Sequence, residues 1–570
     1  MSAPQVVGVY IRNYRSIGDE QLRIRMPARG PLVVLGENNA GKSNLGKAIE
    51  IVLGERWAGT VQLDDHDFHG RDGDGIEVQI SVDAMGVKCP RCSSGEIDRI
   101  HWSYDTGREG GPITYNRRCT GCHNTYMSND IKAQLGCLVI GADRRLSYQL
   151  SYASKYTFLA RLMTHFHDAM KANATVEAAL KELFSMIRSE FDKVDEFKEF
   201  QKLLVTTVES FGGNFRYGLD IDFSAYDPSN YFRSLRVNPA LNGEVRNFDE
   251  LGTGQEQVLA LAFAYAYARA FGKHSGLLLI IDEPESHLHP LAQRWLADRI
   301  RDLSSQEGLQ VMISTHSPLF IDLGRPENLL VVRRAGEDAP TSATQLTLPE
   351  LEAKLVARHA KVNGPHTIGP FYAASATPEI LAGFFARCCA LVEGPTEAMA
   401  LPPLLRLVGF DTLREGVAVI PCGGLSGIAR WIRLFEAFGI PTYAIVDSDS
   451  DLTEPAQADQ AAARQDLEAT LEAIGTSSPA RAITVDSAYA VLDPNFEGAM
   501  NAALGAAWDQ AYESAKDLVG AGRQLKPLRA RHAASVMQLS DLDDGAQEAL
   551  RRLALALTDL SRYRDQPPRF

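Results

Sequence analysis

Long apolar runs are missing from this 570-residue chain. None approaches the ~18 residues that a bilayer-spanning helix needs. The longest, Val258 to Ala268, stops at Arg269, which excludes a membrane span and a membrane partner. The N-terminus carries no basic patch followed by an apolar core, so the reading is a cytoplasmic protein. Positive charge is also short: 58 Lys and Arg stand against 72 Asp and Glu, for a net charge of -14. That balance excludes a wholesale basic coat for nucleic acid but leaves room for a local basic groove. Cysteine is scarce. Of eight, four are paired as CxxC, which excludes a disulfide framework and favours metal ligation in a reducing compartment. What remains is ordinary globular composition, 45 % hydrophobic and 23 % charged, in a chain too long for one core.

The richest stretch is Pro31 to Gly54. Leu32 to Leu35 reads as a buried strand, and Gly36-x-x-x-x-Gly41-Lys42-Ser43 follows it. Leu45, Ile49 and Val52 then recur at helical spacing, with Gly54 as a stop. Strand, glycine loop and helix is the context that turns this pattern into a phosphate cradle. Glycines let the backbone wrap a phosphate, and the helix N-terminus points N–H groups at it. Lys42 would reach the β- and γ-phosphates, and Ser43 would hold Mg²⁺.

Three more segments bear on the same chemistry. Leu251-Gly-Thr-Gly-Gln-Glu-Gln257 opens a helix and offers a second anion-binding turn at Gly252 and Gly254. Leu277 to Ile281 is an apolar strand ending in Asp282-Glu283. Asp282 would join the Mg²⁺ shell, and Glu283 would align or deprotonate the attacking water. Leu309 to Ser314 is another strand, placing His316 where it would sense the γ-phosphate. The cofactors are therefore ATP and Mg²⁺.

Between these motifs, Cys89-Pro-Arg-Cys92 and Cys119-Thr-Gly-Cys122 make a four-thiolate set suited to tetrahedral Zn²⁺. With no open coordination position, such a site is structural. It would close an insertion, residues 86–125, that is too small for its own core. Trp102, Tyr104, Tyr115, Arg117 and Arg118 are candidates for a contact with nucleic acid or protein. Asp64 to His69 is dense in possible ligands but reads as solvated surface. Arg12, Arg15, Arg23, Arg25 and Arg29 form an N-terminal basic arm that would touch a nucleic-acid backbone or simply be solvated. Residues 157–235 read as a helical arm inserted in the nucleotide domain.

Pro- and Gly-rich residues 346–384 read as a linker between domains 1–345 and 385–570. In the second domain strands and helices alternate. Ala390-Leu391-Val392 leads to Glu393, and Thr442 to Val446 leads to Asp447-Ser448-Asp449. Carboxylates at strand ends of a parallel sheet converge on one edge, making an oxygen-rich pocket for Mg²⁺ or Mn²⁺. Residues 523–532 carry Arg523, Lys526, Arg529, Arg531 and His532 with no acid, the strongest basic patch in the chain.

With these motifs in place, the first domain resembles the ABC-type ATPase heads of the SMC and RecF group, through Ile11-Arg-Asn-Tyr-Arg-Ser-Ile17 and Gly36-Glu-Asn-Asn-Ala-Gly-Lys-Ser-Asn44. The nucleotide contacts this implies are Gly36, Asn38, Asn39, Gly41, Lys42, Ser43, Asn44, Gly252, Gly254 and Asp282. It also implies at least a homodimer, because one subunit's signature turn covers ATP held by another. The chain departs from the group at Gly252, where serine is usual, and slow turnover is expected.

Glu393-Gly-Pro-Thr-Glu397, then Gly423-Gly424, then Asp447-x-Asp449 looks like a Toprim domain. The whole is similar to the overcoming-lysogenization-defect (OLD) nucleases. The fold class is thus α/β: an ABC-type P-loop ATPase with zinc-ribbon and helical insertions, then a Toprim-type parallel α/β domain. The resemblance implies metal ligands Glu393, Glu397, Asp447 and Asp449, with Glu497 as a further ligand and Lys526 as a catalytic cation. The expected activity is ATP-regulated, metal-dependent cleavage of DNA, with RNA a lesser alternative, and a role in phage defence that extends to a partner defence protein. The rivals are an ATP-dependent DNA clamp or scaffold with an inert acidic cluster, and an RNA-cleaving toxin.

Overall fold

The computed structural model describes residues 3–141, 276–450, 454–471 and 482–562, apart from single positions, and only scattered positions between 142 and 275. The proposed helical arm and most of the helix after Gly252 lie outside the described residues. Residues 140–273 with 286–288 form one compact unit and the rest of the chain another.

The larger unit holds three main sheets. The first is antiparallel: Leu22–Arg25, Gln5–Arg12, Val78–Lys88, Glu96–Tyr104 and Ile113–Cys119, in that order. Alternation along Gln5–Arg12 buries Val6, Val9 and Ile11 on one face, as a period of two requires. The second runs Thr341–Thr344, Leu329–Arg334, Leu32–Leu35, Leu309–Ser314, Gly276–Asp282, Leu135–Ile140. Leu32–Leu35 is paired in parallel on both sides and buried along its whole length, which explains its unbroken apolar sequence. The helix Lys42–Leu53 follows it, and Leu45, Ile49 and Val52 enter the core between the first two sheets.

The third sheet is the C-terminal one: Val417–Pro421, Cys388–Val392, Thr442–Asp447, Tyr489–Leu492, Ile483–Val485. The first three pairs are parallel and the last is antiparallel. Helices Pro395–Leu407, Phe496–Val519, Lys526–Val536 and Asp544–Ser561 bury Leu401, Leu404, Trp508, Ala530, Ala533 and Leu553 in one core against it.

Two segments bear on the expectations above. The cysteine segment is built into the head. Its strands continue the N-terminal sheet, and Val87, Ile97, Ile100 and Trp102 belong to the head's own core. Trp102 is fully buried, with Nε1 donating to the Ala58 carbonyl, while Tyr104 and Arg117 are buried too, so none of the three offers a contact surface. Residues 346–384, read above as a linker, contain the helices Leu348–Ala357, Ile368–Ser375 and Pro378–Ala382, which bury Leu351, Leu355, Ile368, Tyr372 and Ile380. Pro349 and Pro378 sit in first helical turns, where a missing N–H costs nothing.

Candidate nucleotide and metal sites

Gly36 and Gly41 are glycines for steric reasons. A Cβ on Gly36 would lie 2.1 Å from the Val332 carbonyl oxygen, and Gly41 takes φ 102° beside Thr341 Oγ1. The loop they shape is held by a buried hydroxyl relay. Thr341 Oγ1 donates to Ser16 Oγ (2.8 Å) or Ala40 O (3.0 Å), and Asn44 Nδ2 donates to Ser16 Oγ (2.9 Å). Asn38 and Asn39 are exposed at the loop tip, Asn39 with φ 66°.

Lys42 is buried, and its ammonium donates to the carbonyls of Gly36 (3.0 Å) and Glu37 (2.7 Å). Burial pushes its pKa down to about 8, against the pull of Glu283 and Asp282. Ser43 Oγ donates to Asp282 Oδ2 (2.8 Å), and Ser314 donates to the other oxygen. Strands Gly276–Asp282 and Leu309–Ser314 pair in parallel with Asp282 opposite Ser314, which is why two motifs far apart in the chain meet. Glu283 adopts φ 46°, rare for a side chain of its size, and its Oε1 lies 3.9 Å from His316 Nε2. The His316 N–H donates to Glu285 Oε1 (2.6 Å), a carboxylate that no local motif marks. Burial lowers the His316 pKa, keeping the ring neutral near pH 7. Lys42, Ser43, Asp282, Glu283 and His316 thus surround one cradle that fits Mg²⁺-triphosphate. Gly252 and Gly254 lie in the smaller unit, where Gln255 N donates to Gly252 O (2.9 Å).

The second constellation stands at the C-terminal ends of Cys388–Val392 and Thr442–Asp447. Val392 pairs with Ile445, so Glu393 and Asp447 emerge side by side, and Glu393 Oε1 accepts the Asp447 N–H (2.9 Å). Glu397 is buried one helical turn on and caps its helix through the Gly394 N–H (2.9 Å). Glu497 and Lys526 come from two different helices and pair at 2.8 Å. Asp447 feels the charges of Glu393, Glu397, Asp449 and Glu497. Burial first, and that crowding second, push its pKa up to about 8. Burial and the charges of Asp449 and Glu397 push Glu393 up to about 7, against the Asp447 N–H that it accepts. The buried Asp447 Oδ1 accepts no hydrogen bond from any described residue. Half-buried, mutually repelling carboxylates with an orphaned oxygen suit a hard divalent cation, but no three of them bring ligand oxygens within 4.8 Å of one another, so an ion would have to draw them together.

The four cysteines fit Zn²⁺. Their sulfurs lie within 4.8 Å of one another, the one such group of three or more potential ligands among the described residues. Cys89–Cys122 is 3.8 Å and Cys92–Cys119 3.6 Å, near the about 3.8 Å expected between thiolates 2.3 Å from a common tetrahedral ion. The acids between Asp64 and His69 serve the fold instead. Asp64 and Asp67 cap a short turn, and Asp67 pairs with Arg15 at 2.8 Å. Arg25 pairs with Glu350 at 2.8 Å, so the basic arm is partly neutralised. In the C-terminal patch, Arg529 is buried against the Tyr512 ring while Arg531 is exposed.

Two family descriptions match the chain. "Overcoming lysogenization defect protein-like, TOPRIM domain" matches residues 384–449, and "AAA domain, putative AbiEii toxin, Type IV TA system" matches residues 147–322. The OLD nuclease of Thermus scotoductus is 26 % identical over 453 residues, covering 77 % of this chain and 81 % of the relative. Over most of its length the chain is thus similar to an OLD nuclease. The Old nuclease of Escherichia phage P2 is 27 % identical over 178 residues, 31 % of this chain and 28 % of the phage protein. Among solved structures, the Smc head domain of Pyrococcus furiosus bound to the C-terminal domain of ScpA aligns with TM-score 0.33 at 16 % identity, over 63 % of this chain and all of that one. Among the described residues no helix is long and apolar enough to cross a membrane.

Proposed function

We propose that the protein is an ATP-binding and ATP-hydrolysing endonuclease that cuts or nicks DNA at a divalent-metal site built from Glu393, Glu397, Asp447, Asp449 and Glu497. The observation that carries this is the crowding of half-buried carboxylates at two adjacent strand ends, with Asp447 Oδ1 left unpartnered. Divalent metal held there supplies Lewis-acid stabilisation and an activated water for phosphodiester hydrolysis. Lys526, 2.8 Å from Glu497, offers a cation to the scissile phosphate. In the head, Lys42 cradles phosphate, Ser43 and Asp282 hold the Mg²⁺ that accompanies ATP, and Glu283 with His316 orients water at the γ-phosphate. Family resemblance supports a homodimer, a place in phage defence and a partner defence protein. The test is supercoiled plasmid with Mg²⁺ or Mn²⁺, beside tRNA as the competing substrate. Nicked or linear plasmid is expected, and tRNA cleavage with intact plasmid would reverse the substrate assignment. Binding of plasmid without product under any nucleotide would favour the clamp.

The acids must shed protons before they hold a cation, so Mn²⁺ affinity is expected to rise with pH through about 7 to 8, the values for Glu393 and Asp447. Both folded-state values are raised above the ordinary carboxylate range. Their contribution to metal-free stability is therefore fully present below the ordinary carboxylate values of about 4, is lost as pH climbs from there through 7 to 8, and is flat beyond. A melting scan of chelated protein should fall over that window, and added Mn²⁺ should reverse the fall. A flat profile would separate these acids from metal binding.

The four thiolates predict about one zinc per chain by metal analysis. Because Cys89 and Ile97 lie in the head core, Cys119→Ser is expected to release zinc and lower the melting temperature of the whole head. A folded wild-type protein without zinc would remove the ribbon from the cofactors.

A further inference from the structure

One cation at the acidic edge has no role so far. Arg464 lies on the helix Glu454–Leu471, 15 residues beyond Asp449. Its Nη2 donates to the carbonyls of Asp447 (3.1 Å) and Ser448 (2.9 Å) and stands 3.6 Å from Asp449 Oδ2. The turn it grips is unusual: Asp449 has φ 53°, a left-handed conformation that aspartate seldom adopts without support. All three contacts come from one guanidinium nitrogen, Nη2, so one arm of the planar fork serves both carbonyls and faces the carboxylate. We propose that Arg464 is a positioning residue of the nuclease, holding Asp447 and Asp449 in the arrangement that takes the metal. The proposal rests on the metal reading of the acids.

The test uses the full-length protein and Mn²⁺, followed by electron paramagnetic resonance and plasmid cleavage. Arg464→Ala is expected to weaken Mn²⁺ about 10- to 100-fold. Raising Mn²⁺ should recover kcat while KM for plasmid and ATP hydrolysis stay at wild-type values. Arg464→Lys keeps the charge but not the fork, and it should recover little affinity. It also serves if the alanine variant fails to fold. Unchanged Mn²⁺ affinity in either folded variant overturns the proposal. Wild type that binds no Mn²⁺ overturns the metal reading beneath it.

A different set of contacts carries a second inference. The residues just before Cys388–Val392 touch the nucleotide cradle. Arg387 Nε donates to Glu37 Oε2 (2.9 Å), inside the phosphate loop. Phe385 lies 6.2 Å, ring to ring, from His316. Arg333 donates to the carbonyls of Ala386 (3.0 Å) and Arg387 (2.7 Å), fixing the segment to the strand beside Leu32–Leu35. Glu393 follows directly on the buried strand Cys388–Val392. Lys42 donates to the Glu37 carbonyl (2.7 Å), a bond it would exchange for phosphate, so occupancy of the loop would release the backbone that bears the Glu37–Arg387 pair. We infer that this ion pair conveys nucleotide occupancy to the strand carrying Glu393. This rests on cleavage being ATP-regulated.

Cleavage rate is compared with and without a non-hydrolysable ATP analogue, alongside its binding. In wild type the analogue is expected to change the rate about fivefold or more, in either direction, and in Arg387→Glu less than about twofold with binding retained. The double swap Glu37→Arg with Arg387→Glu should restore the response. A full wild-type response in Arg387→Glu overturns the coupling route. No response in wild type overturns ATP regulation itself.

Discussion

Asp447→Asn is expected to reduce plasmid cleavage by at least about a thousandfold while leaving ATP hydrolysis intact. The substitution keeps the size of the side chain and the backbone N–H that reaches Glu393 Oε1. It removes the charge at the centre of the cluster, the one that interacts with Glu393, Glu397, Asp449 and Glu497. Above about pH 8, where metal-free Asp447 is ionised, loss of that charge relieves repulsion, so the variant should melt there no lower than wild type without metal, and it should gain less from Mn²⁺. That opposition, better folding beside lost function, distinguishes a metal-binding carboxylate from one that supports the fold. Quantitation of nicked product over a Mn²⁺ series measures the first quantity and calorimetry the second. Equal cleavage by variant and wild type would end the nuclease assignment to this edge.

The second large effect is at the other site. Lys42→Ala is expected to weaken ATP binding by roughly two orders of magnitude, because its ammonium is the one expected to meet the β- and γ-phosphates. Glu283→Gln should retain ATP and lose hydrolysis, since an amide cannot take a proton from water. The two variants separate binding from chemistry: the first should show no saturable signal with a fluorescent ATP analogue, the second a tight one without turnover. The lowered pKa of Lys42, about 8, adds a pH signature. ATP affinity should weaken at the alkaline end, above about pH 8, as the free protein loses the ammonium charge. Normal hydrolysis by both variants would refute the roles given to these residues.

How far the sequence reaches differs between the two sites, for a physical reason. The phosphate loop is local: glycine spacing, lysine and serine act within one short segment, and their backbone needs are written next to one another. The strands ending at Glu393 and Asp447 were legible because buried parallel strands are short, apolar and bounded by polar residues. Chain-local patterns likewise found the cysteine pairs. They misjudged the surroundings. Whether Trp102 faces solvent depends on Ala58, 44 residues earlier, and whether the proline-rich stretch is loose depends on apolar partners elsewhere.

By itself, then, the sequence determined the two phosphate-handling motifs, their order along the chain, the thiolate set and the alternation of strand and helix, because each is encoded within one or two turns of backbone. Tertiary structure alone decided that Ser314 braces Asp282, that Arg464 grips the Asp447–Asp449 turn, that Glu497 meets Lys526 and that Arg387 pairs with Glu37 across 350 residues. Contacts between distant residues depend on how sheets and helices stack, and the chemistry of a buried charge depends on neighbours that no local pattern specifies.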